Sequence, residues 1–203
     1  MGNYTIIAEV GSALVQLLQK ELVPDIVQSN SKIGLASPAD RGDMVLCIHL
    51  YDVSESQNYR VSGMVSDGVD RQKFPPIHLM LSYMITAFSA SDVKYRSLDE
   101  QRILGKVVQV LRDNPILNLD TMEFGTGGEG DKLRIEMIKP HAVEKTNIWS
   151  FPNLPAKLSL FYRMEPVALE SARTKNIRRV QEIEFRKDVS VKPWTKLFRR
   201  NHS

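Results

Sequence analysis

Between Pro76 and Ser89 the chain reads Ile-His-Leu-Met-Leu-Ser-Tyr-Met-Ile-Thr-Ala-Phe. A run this apolar, rich in β-branched and aromatic residues and set off by Pro75-Pro76, reads as a strand buried inside a sheet. Residues 44–53, Met-Val-Leu-Cys-Ile-His-Leu-Tyr-Asp-Val, are apolar on both faces for most of their length and read as a central strand. Strands of this kind must be covered by other elements.

Two segments have the pattern to cover them. In residues 4–22, Ile6, Ile7, Val10, Leu14, Leu17 and Leu18 share one helical face, Glu9, Gln16 and Lys20 take the other, and Pro24 stops the helix. In residues 98–113, Ile103, Leu104, Val107, Val108 and Leu111 form the stripe, Ser97 and Glu100 stand at capping-box spacing, and Asn114-Pro115 ends the run. Further strands are expected at 59–65, 132–138, 157–168 and 178–187, with a short helix at 142–149. In the second of these strands Leu133, Ile135 and Met137 alternate with Lys132, Arg134 and Glu136. Residues 25–42 read as loop, with Ser37-Pro38 and Arg41-Gly42-Asp43 as turn signals. The order of elements predicts an α+β fold: a mostly antiparallel or mixed sheet with two main helices packed on one face. The chain of 203 residues suits one such domain over 1–187, followed by a basic C-terminal arm, 188–203.

Composition removes several classes. Apolar residues at 42% and charged residues at 25% are globular values, not those of a disordered or fibrous chain. The lone Cys47 cannot form an intramolecular disulfide; in its apolar run it reads as a small buried thiol made in a reducing compartment. No run reaches the roughly 20 apolar residues of a membrane span. The N-terminal segment lacks the basic region of a signal peptide, and Ile6 stands where a myristoylation motif wants Ser or Thr.

The motifs of chemistry also fail. Gly125-Thr126-Gly127-Gly128-Glu129-Gly130 is followed by a strand pattern, whereas a phosphate loop needs a helix there, so a flexible hairpin tip is expected. His49, His78, His141 and His202 show no metal-ligand spacing. No nucleophile-elbow motif occurs, and Asp52 with Glu55 is the nearest approach to a carboxylate pair, at a strand exit. Arg41-Gly42-Asp43 matches an integrin-binding tripeptide, a match that recurs by chance. The expectation is a protein with no enzymatic activity, no cofactor and no metal.

Charge is unevenly placed. From Arg173 onward there are ten Lys and Arg against three Asp and Glu; the preceding 172 residues hold 17 against 21. Val189 and Val191 alternate with polar neighbours and suit a strand added to a sheet edge. Trp194, Leu197 and Phe198 then fall at i, i+3 and i+4, an apolar knob rimmed by Lys192, Lys196, Arg199 and Arg200. With Arg178, Arg179, Arg186 and Lys187 these are the candidate protein-interface residues, built like a hot spot with a charged rim. Folding of the segment back onto its own domain is the alternative. Nucleic acid is a second possible partner for the charge, but Glu182, Glu184 and Asp188 interrupt it and no nucleic-acid motif accompanies it.

Several stretches resemble, in order and spacing, the N-terminal domain of the cap proteins of extracellular contractile injection systems. They are Ile33-Gly34-Leu35-Ala36-Ser37-Pro38 after the first helix, Pro75 to Phe88, Glu100-Gln101-Arg102-Ile103-Leu104-Gly105-Lys106, Leu111-Arg112-Asp113-Asn114-Pro115, Trp149, and Leu158 to Val167. Together they span roughly residues 4–187. The chain ends sooner than longer members, which would leave out a further C-terminal domain. The resemblance implies a structural cap, or tail terminator, with a phage tail-terminator-like fold. Such a cap forms a hexameric ring that ends the inner tube and anchors the last sheath layer. Its implied partners are itself and the tube and sheath proteins, with no nucleic acid, no membrane and no cofactor. It would be cytoplasmic during assembly and extracellular, within the particle, after release by lysis. A nucleic-acid-binding module, or another component of the same particle, is the alternative.

Overall fold

The computed structural model describes residues 4–59, 63–66, 71–119 and 132–176. Helix α1 spans Ile6–Leu22, followed by β1 (Ile33–Leu35), β2 (Leu46–Glu55), β3 (Val65–Ser66), β4 (Arg71–Lys73) and β5 (Ile77–Ala87). Helix α2 spans Val93–Asp113, followed by β6 (Ile116–Asn118), β7 (Lys132–Met137), α3 (Ala142–Ile148), β8 (Ser159–Leu169) and β9 (Thr174–Asn176). Among the described residues the main sheet has six strands in the order β1-β2-β5-β8-β7-β6, antiparallel except for the parallel β1–β2 pair.

Strand β5 lies in the interior of that sheet, as its composition requires. On one face Leu81, Tyr83 and Ile85 meet the two long helices, which contribute Val10, Leu14 and Leu18 from α1 and Leu104, Val107 and Leu111 from α2 to one core. On the other face Met84 packs with Phe161 of β8 and Trp149, which follows α3. The Trp149 and Phe151 rings meet edge to face at 5.7 Å, and Tyr51 meets Phe161 the same way at 5.9 Å. The α+β class with two main helices on one face is therefore the observed one, with the short α3 on the opposite face.

Two departures from the sequence expectation are informative. Helix α2 begins at Val93, where Asp92 O accepts from the N–H groups of Tyr95 (2.9 Å) and Arg96 (3.0 Å). Ser97 then lies inside the helix, so the capping box with Glu100 does not form: such a box serves amides at a helix start, which lack intrahelical partners. The second departure is β1, inside the segment read as loop. The carbonyls of Asn30 and Ile33 accept from the Gln19 side-chain amide of α1 at 2.9 and 3.0 Å. The strand is also approached closely by the helix; a Cβ on Gly11 would meet Leu35 Cδ1 at 2.9 Å. Both edge strands, β1 and β6, have three residues, a length that limits unwanted pairing.

Two bulges shape the far end of the sheet. Leu50 pairs with Tyr83 and Asp52 with Ser82, leaving Tyr51 extra in β2. On the other side of β5, Leu81 pairs with Met164 and Leu79 with Val167, so Glu165 and Pro166 together oppose Met80. A proline, with no amide to give, is tolerated at such a bulge. Beyond this end β3, β4 and β9 form a small antiparallel sheet. Leu169 stands opposite Ile77, Thr174 opposite Lys73 and Asn176 opposite Arg71. β9 therefore carries the chain onward from β8, away from the main sheet.

Tyr83 is 1% exposed and its hydroxyl has no hydrogen-bond partner among the described residues. Burial pushes its pKa up. A buried unpaired hydroxyl costs about 1–3 kcal/mol of desolvation, while the ring keeps its packing without it. Tyr83→Phe is expected to hold or raise the unfolding free energy in urea titration. A loss of more than about 1 kcal/mol would mean that the hydroxyl does hold a partner.

Candidate functional site

The eleven interface residues proposed from sequence, Arg178 to Arg200, lie outside the described residues, as do the glycine run 125–130 and the boundary at 187/188. The described residues instead show a cleft of about 1030 Å³ at the end of the sheet where β2 starts and β5 finishes. Its walls come from the segment after α1 (Asp25 to Gln28), the turn at Arg41 to Val45, the β5–α2 connection at Phe88 to Ser91, the first half of α2, and Lys157. No sequence motif pointed to it, because these residues stand up to 132 positions apart.

Phe88 is the hub of one wall. Arg41 Cζ lies 4.5 Å from its ring centroid and Lys157 Nζ 5.1 Å, both within cation–π range. Lys157 Nζ also contacts Glu100 Oε1 at 2.5 Å, and the same oxygen accepts from the Ser89 N–H at 3.1 Å. Asp99 accepts from the hydroxyls of Ser91 (2.5 Å) and Ser89 (3.4 Å). The two carboxylates of α2 thus organise the connection that leads into their own helix. Glu100, which sequence reasoning placed in a cap, makes these longer-range contacts instead.

The Arg-Gly-Asp tripeptide is engaged within this wall. Arg41 stacks on Phe88, and Asp43 pairs with Lys32 at 2.5 Å, which holds the Asp43 carboxyl below its ordinary range. Gly42 has φ +57°, a left-handed conformation that suits glycine. The integrin reading finds no support in a tripeptide whose two charged ends serve the fold.

The sheet face beneath α3 is apolar near Met84 and charged further along. Cross-strand pairs Asp52–Ser82, Ser82–Arg163 and Arg163–Glu136 put four polar residues in one line. Asp52 pairs with Ser82 whereas Glu55 pairs with Leu79, so the two acids lie on opposite faces and are not a catalytic pair. Burial pushes the Cys47 thiol up to about 11, which leaves it protonated and unreactive at neutral pH. Burial also lowers the pKa of His49, which meets Phe151 at 5.8 Å. Among the described residues no group of three or more His, Cys, Asp or Glu is placed to hold a metal ion. Among the same residues no helix is long and apolar enough to cross a membrane.

The sequence profile of the Pvc16 N-terminal domain matches residues 9–182. Among solved structures, one similar chain is the sheath/tube terminator of the extracellular contractile injection system PVC, in its extended state. It is 21% identical with a TM-score of 0.59 over 94% of this chain and 65% of that one. Another is the anti-feeding prophage cap, a tube-terminating cap, 19% identical with a TM-score of 0.59 over 87% of this chain and 60% of that one. The chain thus spans less than two thirds of the length of either, and at these identities the likeness is one of fold. No curated protein matches the sequence.

The Lys157–Glu100 pair is mostly buried, with side-chain exposures of 23% and 14%. Glu100→Ala strips Lys157 and the Ser89 amide of their acceptor together and is expected to cost about 1.5–3 kcal/mol in urea titration. Glu100→Gln, which keeps an acceptor oxygen, is expected to cost less. A loss under about 0.5 kcal/mol for the alanine variant would class the pair with ordinary surface ion pairs.

Proposed function

Because this chain belongs to the Pvc16 N-terminal domain family, we propose that it is a structural cap subunit, a tail terminator, of a contractile injection system. The observation that carries this reading is the family match over residues 9–182, on a fold shared with two proteins described as tube terminators. In this reading the subunit joins copies of itself in a hexameric ring on the end of the inner tube and anchors the last layer of sheath. It works by contact and performs no catalysis.

A closed ring needs a heterologous interface, one patch of a subunit meeting a different patch of the next. The uneven charge of the chain supplies two unlike segments, since the part from Arg173 onward is strongly basic and the remainder is net acidic. The path of β9 supports a role for that segment away from the body, because the chain is still heading away from the main sheet at Asn176. We assign residues 188–203 to an arm that docks on a neighbouring cap or on the terminal sheath subunit. Val189 and Val191 add a strand, Trp194, Leu197 and Phe198 fill a pocket, and Arg178, Arg179, Arg186, Lys187, Arg199 and Arg200 steer it toward an acidic partner. Assembly takes place in the cytoplasm and the finished particle is released by lysis.

Deleting the protein is expected to give tubes of irregular length or particles with unanchored sheaths in electron micrographs; uniform, normal particles would refute the cap. Truncation after Lys187 is expected to leave a folded protein by circular dichroism that no longer joins particles. If the truncated protein still caps particles, or fails to fold, the arm is not the docking element.

A further inference from the structure

The charged groups around the Phe88 cleft do not cancel evenly. Three pairs are complete: Lys32 with Asp43, Lys157 with Glu100, and Arg102 with Asp99 at 3.6 Å. Two guanidiniums remain. Arg41 makes only two long bonds through Nη1, to the carbonyls of Gly42 (3.4 Å) and Met44 (3.5 Å). Arg96 donates from Nε to Ser91 O at 3.4 Å. Neither has a carboxylate partner among the described residues. Asp25, the one further acid of the cleft wall, is exposed and bonded to neither.

Arg41 is not a free surface side chain. It is half-buried and laid against the Phe88 ring, so its entropy of ordering is already lost before any ligand arrives. A guanidinium fork held in place, with Nη2 and Nε unpaired among the described residues, matches the two oxygens of a carboxylate. The same cleft offers apolar surface from Ile26, Met44 and Val45, and its volume of about 1030 Å³ is that of a site for several side chains.

We propose that this cleft binds an acidic polypeptide segment of a partner chain, with Arg41 and Arg96 taking its carboxylates. An acidic peptide can set apolar side chains between its carboxylates and so fits a wall that carries both kinds of surface. A nucleic-acid strand, with a phosphate at every nucleotide, would bring charge against Asp25, Asp43 and Asp99 as well. The chain's own C-terminal segment is net basic and so lacks the charge that the two guanidiniums call for. The site rests on the geometry of the cleft and not on the cap reading, so either can fail without the other.

Fluorescence anisotropy on the full chain tests it. The probes are a fluorescein-labelled Glu-Ala repeat peptide, its Gln-Ala and Lys-Ala counterparts, and a single-stranded oligonucleotide of equal length. The Glu-Ala peptide is expected to bind and the other three to bind at least about tenfold more weakly. Arg41→Gln and Arg96→Gln are each expected to weaken it about tenfold or more. Arg112→Gln, at the other end of α2, is expected to change it less than about twofold. Arg96 is exposed, so its variant stays informative if Arg41→Gln lowers the melting temperature. Three results would each overturn the site: no binding of the Glu-Ala peptide, equal losses from Arg96→Gln and Arg112→Gln, or tighter binding of the oligonucleotide.

Discussion

From Leu81 to Ala87, strand β5 has every residue buried, so neither of its faces reaches water. A strand in that position has to be paired along both edges and covered on both sides. Pairing with β2 and β8 meets the first need over nine registered residues on each side. The second need divides the rest of the chain into two unequal covers. Helices α1 and α2 supply the larger, and Trp149, Phe151 and Leu154 around Met84 supply the smaller. Each fully buried large apolar side chain adds about 1.5–3 kcal/mol, so these two covers dominate the stability of the domain.

The polar groups are arranged around this constraint. Further along the second face the strands change to Asp52, Ser82, Arg163 and Glu136, a cross-strand line of polar residues in which Ser82 itself stays buried. At the opposite end of the sheet the chain must leave β5 and enter α2 within a few residues. There Asp99 and Glu100 fold back onto Ser89, Ser91 and Lys157. The cleft is a by-product of that turn, and its two unmatched guanidiniums follow from how fully the neighbouring acids are engaged.

In the proposed cap role this chain needs distinct surfaces more than it needs a reactive group. Its thiol is buried and protonated, its candidate carboxylate pair is split across the sheet, and its charge is sorted along the sequence. The proposed cleft and the proposed C-terminal arm share one sign: each carries unmatched basic groups and each calls for acidic ground on another chain.

The sequence alone determined the elements with long internal patterns. Helix α1, the second half of α2 and β7 were legible because a stripe of side chains at a period of 3.6 or 2 marks them within a single segment, and β2 and β5 because a long run apolar on both faces marks a buried strand. It also determined that no familiar motif of catalysis is written in the chain. Tertiary structure decided the remainder. Strands β1, β4, β6 and β9 have three residues each, too few to show a period; β1 and β6 are held by the longer β2 and β7, while β4 and β9 pair with each other. The start of α2 was misplaced because Glu100 has one carboxylate and two possible uses. A local cap competes with a lysine 57 residues away, and only the folded chain brings that lysine within reach. The cleft was invisible for the same reason: its charges lie in segments whose meeting is set by strand register and helix packing, not by spacing along the chain.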